Sequence, residues 1–120
     1  MERWSFIRKY LLRCIQQNPP SNHVHSGYEA AWELAGWIKS WALGLPGSRQ
    51  ALEVAEHDLA AAWKTGDDGV RDRLVNGTLE HALEKACVRP FFAHWENDPS
   101  LNEAWQPAMS WATTRGEPAV

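Results

Sequence analysis

The sequence predicts an all-α protein, a single domain of five or six helices packed as antiparallel hairpins. Three observations lead there. Apolar residues recur at i, i+3, i+4 and i+7 in every long segment, no run alternates like a strand, and short breaks rich in Pro, Gly and Asn separate the segments. A chain of 120 residues, 44% hydrophobic and 22% charged, is long enough for one sizeable core and lacks the bias of disordered or collagen-like sequences. The outlier is tryptophan, with eight Trp against two Tyr and three Phe. Such rigid apolar plates fill cores or anchor interfaces.

From residue 2 to about 17, Trp4, Ile7, Leu11, Cys14 and Ile15 make one apolar face, with Ser5, Arg8, Lys9 and Arg13 on the other. Pro19 and Pro20 end this helix, because proline removes an amide donor and pushes the preceding residue out of helical geometry. A second, central helix is expected over 28–44, with Ala31, Leu34, Ala35, Ile38, Trp41 and Ala42 inward and Trp32 and Trp37 widening the face. Gly36 inside it suggests close approach of a neighbouring helix. After the Leu45-Pro46-Gly47 break, Ser48 is read as the cap of a third helix over 48–65 with a stripe of Leu52, Ala55, Leu59, Ala62 and Trp63, and Gly66 as its left-handed end. Asp67 and Asp68 can cap a fourth helix over 68–86 that buries Val70, Leu74, Val75, Leu79, Ala82, Leu83 and Ala86. Pro90 opens a short stretch through Trp95, and Asp98-Pro99 opens a last helix over 99–113 that buries Leu101, Ala104, Trp105, Ala108, Met109 and Ala112 and that Pro107 should kink. The helical domain is thus 1–114, and 115–120 reads as a frayed tail.

A formal net charge of −3 argues against nucleic acid as a partner, since phosphate neutralisation needs a clustered basic surface. The charge is uneven: residues 53–103 carry eleven acids against five bases, while Arg3, Arg8, Lys9 and Arg13 face only Glu2 at the start. An acidic surface of this kind steers a basic partner. Cys14 and Cys87 lack metal or disulfide-framework spacing and read as buried reduced thiols. No segment approaches the roughly 18 apolar residues of a membrane span, and the charged start lacks a secretory h-region, so the expected location is cytoplasmic, away from membranes.

The run from Gly66 to Leu74, then Gly77-Thr78-Leu79-Glu80-His81, Arg89-Pro90-Phe91-Phe92-Ala93-His94-Trp95 and Asp98-Pro99-Ser100-Leu101, resembles a family of small helical bacterial proteins of unestablished function. The likeness spans roughly residues 28–112, its upstream part carried by Tyr28-Glu29-Ala30-Ala31-Trp32-Glu33; Pro107 departs from it. The resemblance implies an immunity-type role, neutralising a cognate bacterial toxin by direct protein contact.

The residues themselves offer no reaction. There is no nucleophile elbow, P-loop or dinucleotide-binding glycine pattern, so the chain is read as a non-enzyme without a cofactor. His81 and Glu84 lie one turn apart and are the basis of a rival reading, a metal-dependent enzyme, but their order reverses the Glu-x-x-His of di-iron bundles and no metal site is assigned. His23 and His25 lack a third ligand. The carboxylate pairs Glu29/Glu33, Glu53/Glu56 and Glu80/Glu84 read as solvated helix faces. The candidate partner-binding surface is the i, i+4 row Asp72, Asn76, Glu80 and Glu84, together with Trp32 and Trp95, which fit the core stripes poorly; Trp111 shares that misfit. A helical adaptor or homodimer using the same surface is the other rival.

Overall fold

The computed structural model describes residues 4–20, 25–44 and 46–118, and among these it holds helices and turns with no strand. Six helices follow one another: α1 (Ser5–Gln17), α2 (Gly27–Ala42), α3 (Ser48–Thr65), α4 over residues 68–82, α5 over residues 86–97 and α6 (Asn102–Arg115). Leu11 and Ile15 of α1, Ile38 and Trp41 of α2, Leu52 and Leu59 of α3, Leu74 and Leu79 of α4, Phe92 and Trp95 of α5, and Ala104 and Ala108 of α6 share one core. Each buried Leu, Ile or Phe contributes about 1.5–3 kcal/mol by leaving water. Tertiary burial of these stripes, more than helix propensity, therefore holds the irregularly wound α4 and the short α5 in place.

The α1–α2 hairpin shows how the breaks work. Asn18 closes α1 in the left-handed region at φ 45°, which Asn tolerates, and its Oδ1 accepts a hydrogen bond from the Gly27 amide at 2.9 Å. Ser26 and Glu29 form a reciprocal capping box at the start of α2, and the Ser26 amide, then its hydroxyl, hold the Glu29 carboxyl below the usual carboxylate range. Trp4, at the start of α1, packs on Trp41 near the end of α2 with ring centroids 6.0 Å apart, so the two helices run antiparallel.

Several local expectations change. Gly47, at φ 79°, takes the cap position before α3, and Ser48 is the buried first residue of the helix. Gly66 is extended rather than left-handed; glycine is needed there because a Cβ would stand 2.6 Å from the Ala62 carbonyl oxygen and 2.7 Å from Val70. Arg8, placed by its charge on the outer face of α1, is buried and paired with Asp58 of α3. Cys14 is buried as expected, but Cys87 and Ala86 are exposed, because the chain turns away after Ala82 instead of continuing α4. Asp67 caps α4 as expected, accepting from the Val70 amide at 2.9 Å.

The segment read as a frayed tail is tied down through Glu117. Helix α6 runs to Arg115, the Glu117 amide donates to the Glu84 carbonyl at 2.9 Å, and Arg89 and the Ala86 amide both donate to Glu117. Residues 119 and 120 lie outside the described residues. Pro107 sits on the exposed face of α6, where water can satisfy the carbonyl it leaves without a donor, and the helix continues past it.

Gly36 does not mark a close approach: it is exposed on α2, and a Cβ there would meet nothing within 4 Å. With no steric cost, Gly36→Ala is expected to raise stability by about 0.5–1 kcal/mol through helix propensity alone. Urea unfolding of the variant checks this, and a loss of stability would show that the space over Gly36 is needed.

Candidate functional site

Helices α2 and α4 lie side by side and run in the same direction, because α3 makes the return leg between them. Tyr28 meets Asp72, Ala31 meets Gly77 and Thr78, Trp32 meets His81, and Lys39 meets Glu84. The contact is closest where α4 changes its winding: Arg73–Leu79 is π-helical, between α-helical turns at Asp68–Asp72 and Glu80–Ala82. Thr78 Oγ1 donates to the Ala31 carbonyl at 3.0 Å, and a Cβ on Gly77 would lie 2.6 Å from Ala31 Cβ. A buried hydroxyl bond and a missing side chain together keep the wider turn pressed on α2.

That winding reshapes the expected Asp72, Asn76, Glu80 and Glu84 row. Asp72 and Asn76 are exposed, and the Asn76 amide and the Tyr28 hydroxyl both donate to the Asp72 carboxylate. Glu80 is only 7% exposed and Glu84 is half-buried. Arg115 of α6 covers them: its Nη2 donates to Glu80 Oε1 at 3.0 Å and its Nε lies 3.7 Å from Glu84 Oε2. Lys39 Nζ adds an ion pair to Glu84 at 3.2 Å, and His81 Nδ1 is 3.7 Å from the same carboxylate. Burial pushes the Glu80 carboxyl above the usual range, against the opposing pull of Arg115.

The row is therefore half open and half neutralised, and aromatic plates stand at its borders. Trp32 is 62% exposed and packs on the His81 ring with centroids 4.9 Å apart. Trp111 is 54% exposed and lies beneath the Arg115 guanidinium at 5.7 Å. A continuous strip of contacts thus links Trp32, His81, Glu84, Arg115 and Trp111 across three helices. Such a surface offers rigid aromatic area and groups already held in place, which is what recognition requires.

Trp95, expected with Trp32 at the partner surface, is in the core instead at 1% exposure. Its ring packs on Phe92 and its Nε1 donates to Glu56 Oε2 at 2.8 Å, so the polar edge that favours a surface position has an internal partner. His94 Nε2 lies 3.1 Å from the same oxygen. Trp41, Trp63 and Trp105 are buried as expected, while Trp4 and Trp37 pack partly buried against the core. Two site residues escaped the sequence reading. Tyr28 was detectable as the residue one turn before Trp32 on the same face, and Arg115 as the cation one turn after Trp111.

Of the paired histidines, His23 lies outside the described residues, whereas His25 joins α1 to α2: Nδ1 is 3.0 Å from the Tyr10 hydroxyl and Nε2 is 3.0 Å from Glu33 Oε1. Among the described residues no three His, Cys, Asp or Glu side chains are grouped to hold a metal ion. No helix of the described residues is long and apolar enough to cross a membrane. No protein-family model, no curated protein and no solved structure matches the chain.

Proposed function

We propose that the protein is a binding protein of the immunity type, which neutralises a cognate bacterial toxin by direct contact through the strip between Trp32 and Trp111. The observation that carries the reading is the pair of exposed tryptophans at the two ends of a connected polar strip, where the cost of leaving such rings in water is recovered by a partner. The acid excess over residues 53–103 suits a basic partner and fast steered association. The sequence resemblance to immunity-like proteins points the same way, and the open Asp72 carboxylate fits contact with a basic groove without any bond-making step in this chain.

The test is binding to, and relief of killing by, the polypeptide encoded beside this gene. Trp32→Ala and Trp111→Ala are each expected to weaken the complex about tenfold, about 1.4 kcal/mol, with little change in melting temperature because neither ring is in the core. Isothermal titration and thermal melts measure the two effects separately. Unchanged affinity in both variants overturns the assignment of the strip. A concentration-dependent dimer of this chain that Trp32→Ala dissolves overturns it in favour of a homodimerising module.

A further inference from the structure

Resting on the reading of the strip as a protein interface, we infer that its open end, the exposed patch formed by Tyr28, Trp32 and Asp72, binds an arginine side chain of the partner. Asp72 is an exposed carboxylate that accepts hydrogen bonds from two neutral donors, the Tyr28 hydroxyl and the Asn76 amide, and no Lys, Arg or His among the described residues forms an ion pair with it. The two donors hold the carboxylate in a fixed direction and leave its charge uncompensated. Arg73, next in the chain, is committed elsewhere, since its Nε donates to the Ile15 carbonyl at 2.7 Å, and Arg115 is committed to Glu80 and Glu84.

The aromatic walls complete the case for a guanidinium. A Cβ built on Gly77 would stand 3.6 Å from Cδ1 of Trp32 and 3.6 Å from Cδ1 of Tyr28, so both rings rest on one glycine floor and are neighbours. Trp32 is backed by His81 while most of its ring stays open to solvent. A planar cation can stack on the indole face and turn its edge to Asp72, satisfying charge, donors and apolar area at once. A lysine ammonium is strongly hydrated, has no plane to stack, and gains less from the same patch.

The experiment uses isotope-labelled full-length protein titrated with N-acetyl-arginine amide, N-acetyl-lysine amide and the neutral isostere N-acetyl-citrulline amide. The arginine probe is expected to give saturable shifts of the Trp32 indole N–H, assigned with Trp32→Phe, and of the Asn76 side-chain amide. Asp72→Asn should weaken this binding about tenfold, the lysine probe should bind several-fold more weakly, and the citrulline probe should leave both signals unmoved. Equal shifts from citrulline or lysine, or an arginine response that survives Asp72→Asn in a folded variant, overturns the inference. In the partner complex, Trp32→Ala weakening without an Asp72→Asn effect removes the arginine and leaves the interface. Probe binding with no protein partner supports the arginine-binding patch and removes the interface.

Discussion

Arg115→Met is expected to lower the stability of the protein by about 2 kcal/mol at neutral pH and by much less near pH 4, where carboxylates protonate. Arg115 is the cation of the Glu80 carboxylate, at 3.0 Å, and Glu80 is 7% exposed while the Arg115 side chain is 40% exposed. Loss of a partner from a fully buried pair costs about 3–5 kcal/mol, and the solvent around Arg115 reduces that figure. The sign of the pH effect follows from Glu80. Burial already places its folded-state carboxyl above the unfolded value, so the carboxyl weakens the fold as pH rises between the two and not below them. Removing Arg115 deletes the main opposing influence, raises that carboxyl further and widens the window, so the deficit appears as pH rises and vanishes when Glu80 is protonated in both states. Methionine keeps the aliphatic stem, and Glu80→Gln in the same background should return most of the loss. Urea unfolding across this range measures it; an equal deficit at both ends of the range means that Arg115 acts by packing alone.

The fold was legible because its determinants are periodic. The stripes of Leu52, Ala55, Leu59, Ala62 and Trp63 and of Leu101, Ala104, Trp105, Ala108 and Ala112 are interior as read, with Met109 only partly buried beside them, and Asp67 caps as its position requires. What the stripe rule could not see is any position decided by a partner distant in sequence. Arg8 reads as solvent-facing until Asp58, fifty residues on, neutralises it; Trp95 reads as a misfit until Glu56 takes its indole donor. Gly66 likewise ends α3 in an extended rather than a left-handed conformation, and Gly47 takes the cap position read for Ser48, because the neighbours set each conformation.

The candidate site was legible in its residues more than in its shape. Asp72 and Asn76 are hydrogen-bonded neighbours on α4, Glu80 and Glu84 (the latter in the turn after α4) are joined through Arg115, and Trp32 borders Glu84 through His81. The π turn, with no signature of its own in the sequence, divides the row into an open acidic end and an end closed by Arg115. Reading residues 115–120 as a loose tail hid that closure, since the arginine that neutralises the row sits in the last turn of α6, one turn beyond the tryptophan it covers.

Gly77→Ala is expected to cost about 2 kcal/mol, although the same exchange at Gly36 stabilises. Helix propensity favours alanine at both positions by about 0.5–1 kcal/mol, so the sign at each is decided by space. At Gly36 there is nothing within 4 Å, whereas at Gly77 the new Cβ meets Ala31 Cβ at 2.6 Å, and both atoms are fixed to helix backbones that must separate. Overpacking of this kind costs about 1–3 kcal/mol and exceeds the propensity gain. Separation also lengthens the 3.0 Å bond from Thr78 to the Ala31 carbonyl, which leaves a buried hydroxyl without a partner. The contact is tested by giving the space back from the other side. Ala31→Gly alone should cost about 1 kcal/mol in propensity, yet combined with Gly77→Ala it should leave the protein more stable than Gly77→Ala alone, a coupling that additive variants do not show. Denaturant unfolding of the four proteins closes the cycle. Because Tyr28 and Trp32 lie against Gly77, the single variant should also move the Trp32 indole resonance and the double variant should return it; additive stabilities with an unmoved indole would mean that the glycine neither sets the spacing of α2 and α4 nor supports the two rings.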